Sequence, residues 1–268
     1  MHKVLAHRCS VLLAASALLV GAAPSLAAPD WDIVGIRLGM TPAQARAALL
    51  AHAPKAEVTE FTRQFSFNDG VKDQQLPGFL GSIIARQGPT PGKSETLEVM
   101  FSAPPMEQRV IRVMRTLTMY NDPLPLERAV ASLRQKYGKP SAVMESHTAM
   151  GNTSRWVEAG KTVCGNTAAN SQDAREAPQV DNSPSGLGHY KAWHQRKLAP
   201  ADASNCSAAL VVNLVTVAPR NPLVREMKFV MTDPGHAVPA MQAAAKQIAD
   251  LQAQARKVRQ NSGPVPKL

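Results

Sequence analysis

Aromatic side chains are scarce in this chain, at 4% of 268 residues. With 44% hydrophobic residues overall, a sizeable core is available, but it must be built from Leu, Val, Ile, Ala and Met. Most signatures of catalysis are also missing. No Gly-x-Ser-x-Gly elbow is present for a nucleophilic serine. Neither His-Glu-x-x-His nor clustered Cys and His is present for zinc. GIRLGMT, Gly35 to Thr41, has neither the glycine spacing nor the lysine of a phosphate loop. No recognition helix, zinc spacing or basic-aromatic ladder points to nucleic acid. The expectation is no catalytic residue, no metal ligand and no cofactor. An enzyme whose site assembles only in space stays open as an alternative.

Charge of one sign is in excess. The formal net charge is +10 and the pI about 9.8, which favours anionic partners such as lipid headgroups or acidic polymers. Residues 1–27 read as a secretory signal peptide. Lys3 and Arg8 form a basic start, Val11 to Gly21 a short apolar run, and Ser25-Leu26-Ala27 a small-x-small cleavage signal. The apolar run is too short for a comfortable bilayer span, so the mature protein is expected to carry no transmembrane anchor. Cleavage removes Lys3 and Arg8 and no acid, leaving a mature charge of +8. Cys164 and Cys206 then remain. In an oxidising periplasmic or extracellular compartment a disulfide between them is the default, and two separate buried thiols are the alternative.

Two stretches organise the rest. In the first, Thr41 caps a helix, Pro42 occupies its first position, Gln44 completes a capping box, and Pro54 ends it near His52. Strand-like runs follow at Glu57 to Phe67, Phe79 to Arg86, Thr96 to Ala103 and Arg109 to Tyr120. In the last two, apolar residues alternate with Glu98, Arg112, Thr116 and Thr118, the signature of a sheet wet on one face. In the second stretch Asp122 can cap a helix with Pro123 and Pro125 in its first turn. Leu126, Ala129, Val130, Leu133 and Tyr137 form its buried stripe. Further strands are expected at Ser141 to Thr148, Ser154 to Cys164, Ser207 to Val217 and Leu223 to Thr232.

The two stretches read as copies. Leu49 matches Leu133, 84 residues on, while Leu97 matches Leu210 and Ile111 matches Val224, each 113 residues on. The difference of 29 residues is an insertion at 165–196, rich in Asn, Ser, Pro and Gly and expected to form a mobile surface loop over Gly165 to Gly188. The expected fold class is α+β. A signal peptide (1–27) precedes two tandem units (28–120 and 121–233), each a short helix on a roughly four-stranded antiparallel sheet. A C-terminal helix and frayed tail (234–268) follow, the helix over Pro239 to Gln260. Met241, Ala244, Ile248, Leu251, Ala255 and Val258 give that helix a heptad-like seam, for its own domain or for a partner. His189, Tyr190, Trp193 and His194 lie in the insertion. The two histidines align poorly for a metal in either a strand or a helix. The methionines are scattered at core-type positions, which suits core filling rather than copper handling.

GIRLGMTPAQARAAL and LRQKYGKPS resemble the beta-lactamase inhibitory protein architecture. They are also similar to the small outer-membrane-assembly lipoproteins that share its helix-on-sheet unit. The resemblance implies two tandem units presenting a concave sheet face to a protein partner. The functional expectation is an exported, non-enzymatic binding or adaptor protein of the bacterial cell envelope. A binder of lipopolysaccharide or peptidoglycan is the alternative, and an enzyme with an unrecognised site, perhaps around His189, Tyr190 and His194, a second one.

Overall fold

The computed structural model describes residues 30–90, 92–145, 152–161, 164, 179–195, 205–218 and 221–262. The signal-peptide reading of 1–27, the first half of the insertion and the end of the tail lie outside them.

Local chemistry builds the first helix as expected. In α1, Pro42–His52, the Thr41 hydroxyl accepts the Gln44 N–H at 3.3 Å and the Gln44 side chain accepts the Thr41 N–H at 2.9 Å. Ala45 and Leu49 are buried beneath it. The strands that follow are β1 Glu57–Arg63, β2 Ser66–Asn68, β3 Asp73–Gln75, β4 Phe79–Thr90, β5 Lys93–Phe101 and β6 Val110–Met119. The run expected as one strand from Glu57 to Phe67 is therefore two. It turns between Arg63 and Ser66, so that β2 pairs with β3 in a separate hairpin. The stretch between the expected strands Phe79 to Arg86 and Thr96 to Ala103 is itself mostly strand, because β4 and β5 run on to pair Thr90 with Lys93.

The second half holds β7 Leu124–Pro125, α2 Leu126–Tyr137, β8 Ala142–Glu145, β9 Asn152–Val157, α3 Gly188–Gln195, β10 Ala209–Thr216, β11 Leu223–Thr232 and α4 Pro234–Ser262. Asp122 does not cap α2. Leu124 and Pro125 are drawn into extended pairing with β11, and the helix begins only at Leu126, whose N–H reaches Pro222 O at 2.6 Å. Helix α4 starts five residues earlier than expected. Asp233 precedes it, accepting the His236 N–H at 3.1 Å, and Pro234 takes the first position where no N–H is needed.

One large antiparallel sheet has the strand order β1-β4-β5-β6-β11-β10-β9-β8, with β7 appended to β11. The two expected half-sheets are thus continuous, joined where β6 pairs with β11 from Arg112↔Thr232 to Thr118↔Glu226. The order reads alike from either edge. Both central strands also bulge near their starts. Ile111 is extra between the Met100↔Arg112 and Phe101↔Val110 pairs, and Arg225 between Val215↔Glu226 and Thr216↔Val224. Aligning the bulges matches Val110 to Val224 and Phe101 to Thr216, offsets of 114 and 115 residues. The expected 113 slips the register by one residue between β6 and β11 and by two between β5 and β10, since short Val- and Leu-rich strands match almost as well out of register. On the helices the 84-residue offset does match the buried pairs, Ala45 and Leu49 with Ala129 and Leu133.

Helices α1 and α2 cover one face of the sheet. Their core gathers Ile33, Ile36, Leu97, Val99, Val113, Trp156, Leu210, Val212, Met227 and Phe229. The opposite face is not simply wet. At the end where β5 stops and β6 starts, Met100 and Ile111 pack on Ala237 of α4, and Arg112 is buried. A second core stands beside it. Phe65 from the first half, Val180, Leu187, Tyr190 and Trp193 from the insertion, and Val238, Met241, Ala244 and Ile248 of α4 converge there. The described part of the insertion is therefore an anchored structure and not the surface loop expected from its polar composition. Its few apolar residues are the ones buried. The α4 seam likewise splits: Met241, Ala244 and Ile248 are spent on the protein's own core, and Val258 is exposed.

Cys164 and Cys206 form the expected disulfide, with Cα atoms 5.3 Å apart, and both lie in the second core. The bridge closes a separation of 42 residues. Its removal in Cys164→Ala/Cys206→Ala should lower the unfolding free energy by about 2–4 kcal/mol, read from the denaturant midpoint. Gly39, at φ 78°, has nothing within 4 Å of where a Cβ would be, so Gly39→Ala isolates a backbone effect. It should cost about 1 kcal/mol in the same assay, because L side chains disfavour the left-handed region.

Candidate binding groove

The helix-covered face contains two polar features. The first is an ionic network at the centre of the sheet, between α1 and α2. Arg115 on β6 donates from Nε to Glu95 Oε1 on β5 at 2.5 Å, and His52 Nε2, at the end of α1, lies 3.0 Å from the same oxygen. The Arg115 guanidinium stands 5.5 Å from the Phe229 ring centroid. Burial alone would raise the Glu95 pKa, but Arg115 and His52 outweigh it and hold the carboxyl below its ordinary range. Nearby, Tyr137 donates to Asp32 O at 2.9 Å, and Lys136 Nζ sits 3.0 Å from Asp32 Oδ1. Burial, with Asp32 adding to it, pushes the Tyr137 hydroxyl up to about 12, so it stays a donor at neutral pH. A carboxylate already claimed by an arginine and a histidine is a poor general base. This network fastens helix to strand.

The second feature is open. A groove of about 360 Å³ runs between α2 and the β8 edge of the sheet. Leu126, Val130 and Ala131 of α2 form one wall, Val143 and Pro140 the other, and Asn152, Ser154 and Trp156 of β9 the floor. Alternation along β9 explains the floor: Trp156 points toward the helix, where its Nε1 donates to Gly138 O at 3.1 Å, so Ser154 and Asn152 point the same way. Ser154 is only 7% exposed, yet its hydroxyl makes no hydrogen bond among the described residues, and the Asn152 side chain makes none either. Glu127 and Arg134, one toward each end of α2, line the rim and form no ion pair among the described residues. Apolar walls with a few convergent, uncommitted polar groups are the usual make-up of a ligand site.

The first half lacks this groove. Through the ladders, Ile83 and Ala85 hold the positions of Asn152 and Ser154, and both are buried. Arg46 of α1, at the position of Val130, forms an ion pair with Glu60 of β1 across the equivalent gap.

The structure separates the residues singled out in the insertion. Tyr190 and Trp193 share the inner face of α3 and are buried in the second core. His189 lies in the first turn, where its N–H donates to Asp181, and the His194 side chain is outside the described residues. Among the described residues no group of three or more His, Cys, Asp or Glu could hold a metal, and no helix is long and apolar enough to cross a membrane. Sequence reasoning missed Asn152 and Ser154. The available signal was their in-phase spacing with Trp156, two polar residues where an inward-facing strand position expects apolar ones. No protein-family model, curated protein or solved structure matches the chain.

The central network carries a pH signature. Glu95 has a depressed pKa, so its contribution is present above the unfolded carboxylate range of about 4.3 and is lost as pH falls through the folded value. At pH 7, Arg115→Met should cost about 2–3 kcal/mol by chemical denaturation, less than full burial would give because Glu95 keeps some solvent contact. The stability gap between the native protein and Glu95→Gln should shrink on going from pH 7 to about pH 3.5.

Proposed function

We propose that this protein is an exported, non-enzymatic binding or adaptor protein of the bacterial cell envelope, and that its partner engages the groove between α2 and β9. The observation that carries this reading is the uncommitted polar floor, Asn152 and Ser154, under apolar walls. The amino-terminal leader pattern and the Cys164–Cys206 disulfide support an oxidising, extracytoplasmic setting. The helix-on-sheet units resembling beta-lactamase inhibitory protein support a binding role. The sheet face that this resemblance implies for partner binding is here partly occupied by α4, which favours the opposite side of the sheet for recognition.

A photo-crosslinking residue at Val143, which is 48% exposed on the groove wall, tests this in cells. The expected result is one saturable envelope adduct that disappears when Ala131→Trp fills the groove. Adducts indistinguishable from those formed at Val71, on the remote β2–β3 hairpin, would sink the reading. The expected mature charge of +8 supports a second reading, attraction to anionic envelope material. Retention on lipopolysaccharide or peptidoglycan should then fall steeply between low and physiological salt.

A further inference from the structure

The groove has a direction. Seven residues of α2 separate Glu127 from Arg134, a rise of about 10 Å. The acidic end is shared with Asn152 and the basic end with Trp156, with Val130 and Val143 facing each other between them. An extended peptide advances roughly 3.3 Å per residue, so three residues span that distance. We propose that the groove binds a short extended peptide with apolar side chains, its amino end toward Glu127 and its carboxyl end toward Arg134.

Each part of the ligand has a counterpart. The ammonium meets a carboxylate that has no ion partner among the described residues, and the carboxylate meets a guanidinium in the same condition. The Asn152 amide offers a donor and an acceptor, the pair a peptide bond needs. Ser154, a residue only 7% exposed whose hydroxyl makes no hydrogen bond among the described residues, faces the middle of the ligand. The apolar walls take the side chains. A fatty acid would satisfy the walls and Arg134 but leave Glu127, Asn152 and Ser154 unmatched, and burying those groups against an acyl chain is unfavourable. The first half of the protein supplies the contrast. There Ile83 and Ala85 replace the polar floor, and Arg46 and Glu60 pair with each other.

This inference rests on the binding reading above and names its ligand class. The purified protein is titrated calorimetrically with Leu-Val-Leu bearing free termini, with the same tripeptide acetylated and amidated, and with dodecanoate. Free Leu-Val-Leu should bind saturably at one site and be abolished by Ala131→Trp. Arg134→Gln and Glu127→Gln should each weaken it about tenfold. Neither should change the affinity of the capped peptide, which distinguishes free peptides from internal segments as the source. Ser154→Val should weaken both peptides. Thermal midpoints of the variants within a degree or two of the native protein exclude a folding defect. Equal affinity of the capped and free peptides, or tighter binding of dodecanoate than of either peptide, overturns the proposal. No peptide binding, with the Val143 adduct intact, overturns the ligand class and leaves the binding reading standing. Loss of the adduct with peptide binding retained overturns the macromolecular partner alone.

Discussion

Everything in this structure depends on the pairing of β6 with β11. Each half of the chain supplies four strands of the main strand order and one covering helix, and each half-sheet alone would leave its innermost strand without the partner it has here. The pairing removes both edges at once. It also brings Val113, Met227 and Phe229 into a single core under α1 and α2. The contact is strongly non-local, joining residues 112–118 to 226–232, so its loop-closure cost must be met before most of the apolar surface is buried. The bulges at Ile111 and Arg225 sit beyond opposite ends of that ladder, where increased strand twist lets the chain leave the sheet plane.

A sheet built this way has a crowded centre and two unlike ends. At the centre, a wholly apolar contact would leave α1 free to slide over Leu- and Val-rich strands. The Glu95–Arg115–His52 network pins it instead at a defined point, with the Phe229 face accepting the guanidinium. The asymmetry comes from what was added to each half. The β2–β3 hairpin belongs to the first and the insertion to the second, and they meet. Arg63 Nη1 donates to Asn182 Oδ1 at 3.2 Å, Ser66 donates to Pro184 O, and Phe65 enters the core of Tyr190 and Trp193. The additions thus form a clasp over one end of the far face, which α4 completes and the disulfide fastens.

Legibility in the sequence followed the range of the interaction. Thr41, Pro42 and Gln44 specify the start of α1 within four residues, so the cap could be read directly. The bounds of β11, Leu223–Thr232, and the cysteine pair were equally plain. The merging of two sheets into one was not, because nothing local in Arg109 to Tyr120 says whether its outer edge is covered by water or by a strand 114 residues away. The second core was hidden for a different reason. Val180, Leu187, Tyr190 and Trp193 are diluted by Asn, Ser, Pro and Gly, so an average over that stretch reports a loop, while burial depends on four side chains reaching one place. The start of α2 failed where tertiary pairing of Leu124 and Pro125 overrode a reasonable cap at Asp122.

The two ends of the sheet show what the groove gives up. At the β1 end, a seven-residue strand, a floor of Ile83 and Ala85 and the Arg46–Glu60 pair seal the gap beside the helix. At the β8 end, Val130 in place of the arginine, and Asn152 and Ser154 on the floor leave it open. Apolar walls facing water forgo the stabilisation that burial would bring. Stability alone would favour the arrangement at the β1 end in both places. Two equivalent positions in one molecule, one closed and one open at that cost, are consistent with the proposal that a ligand completes the second.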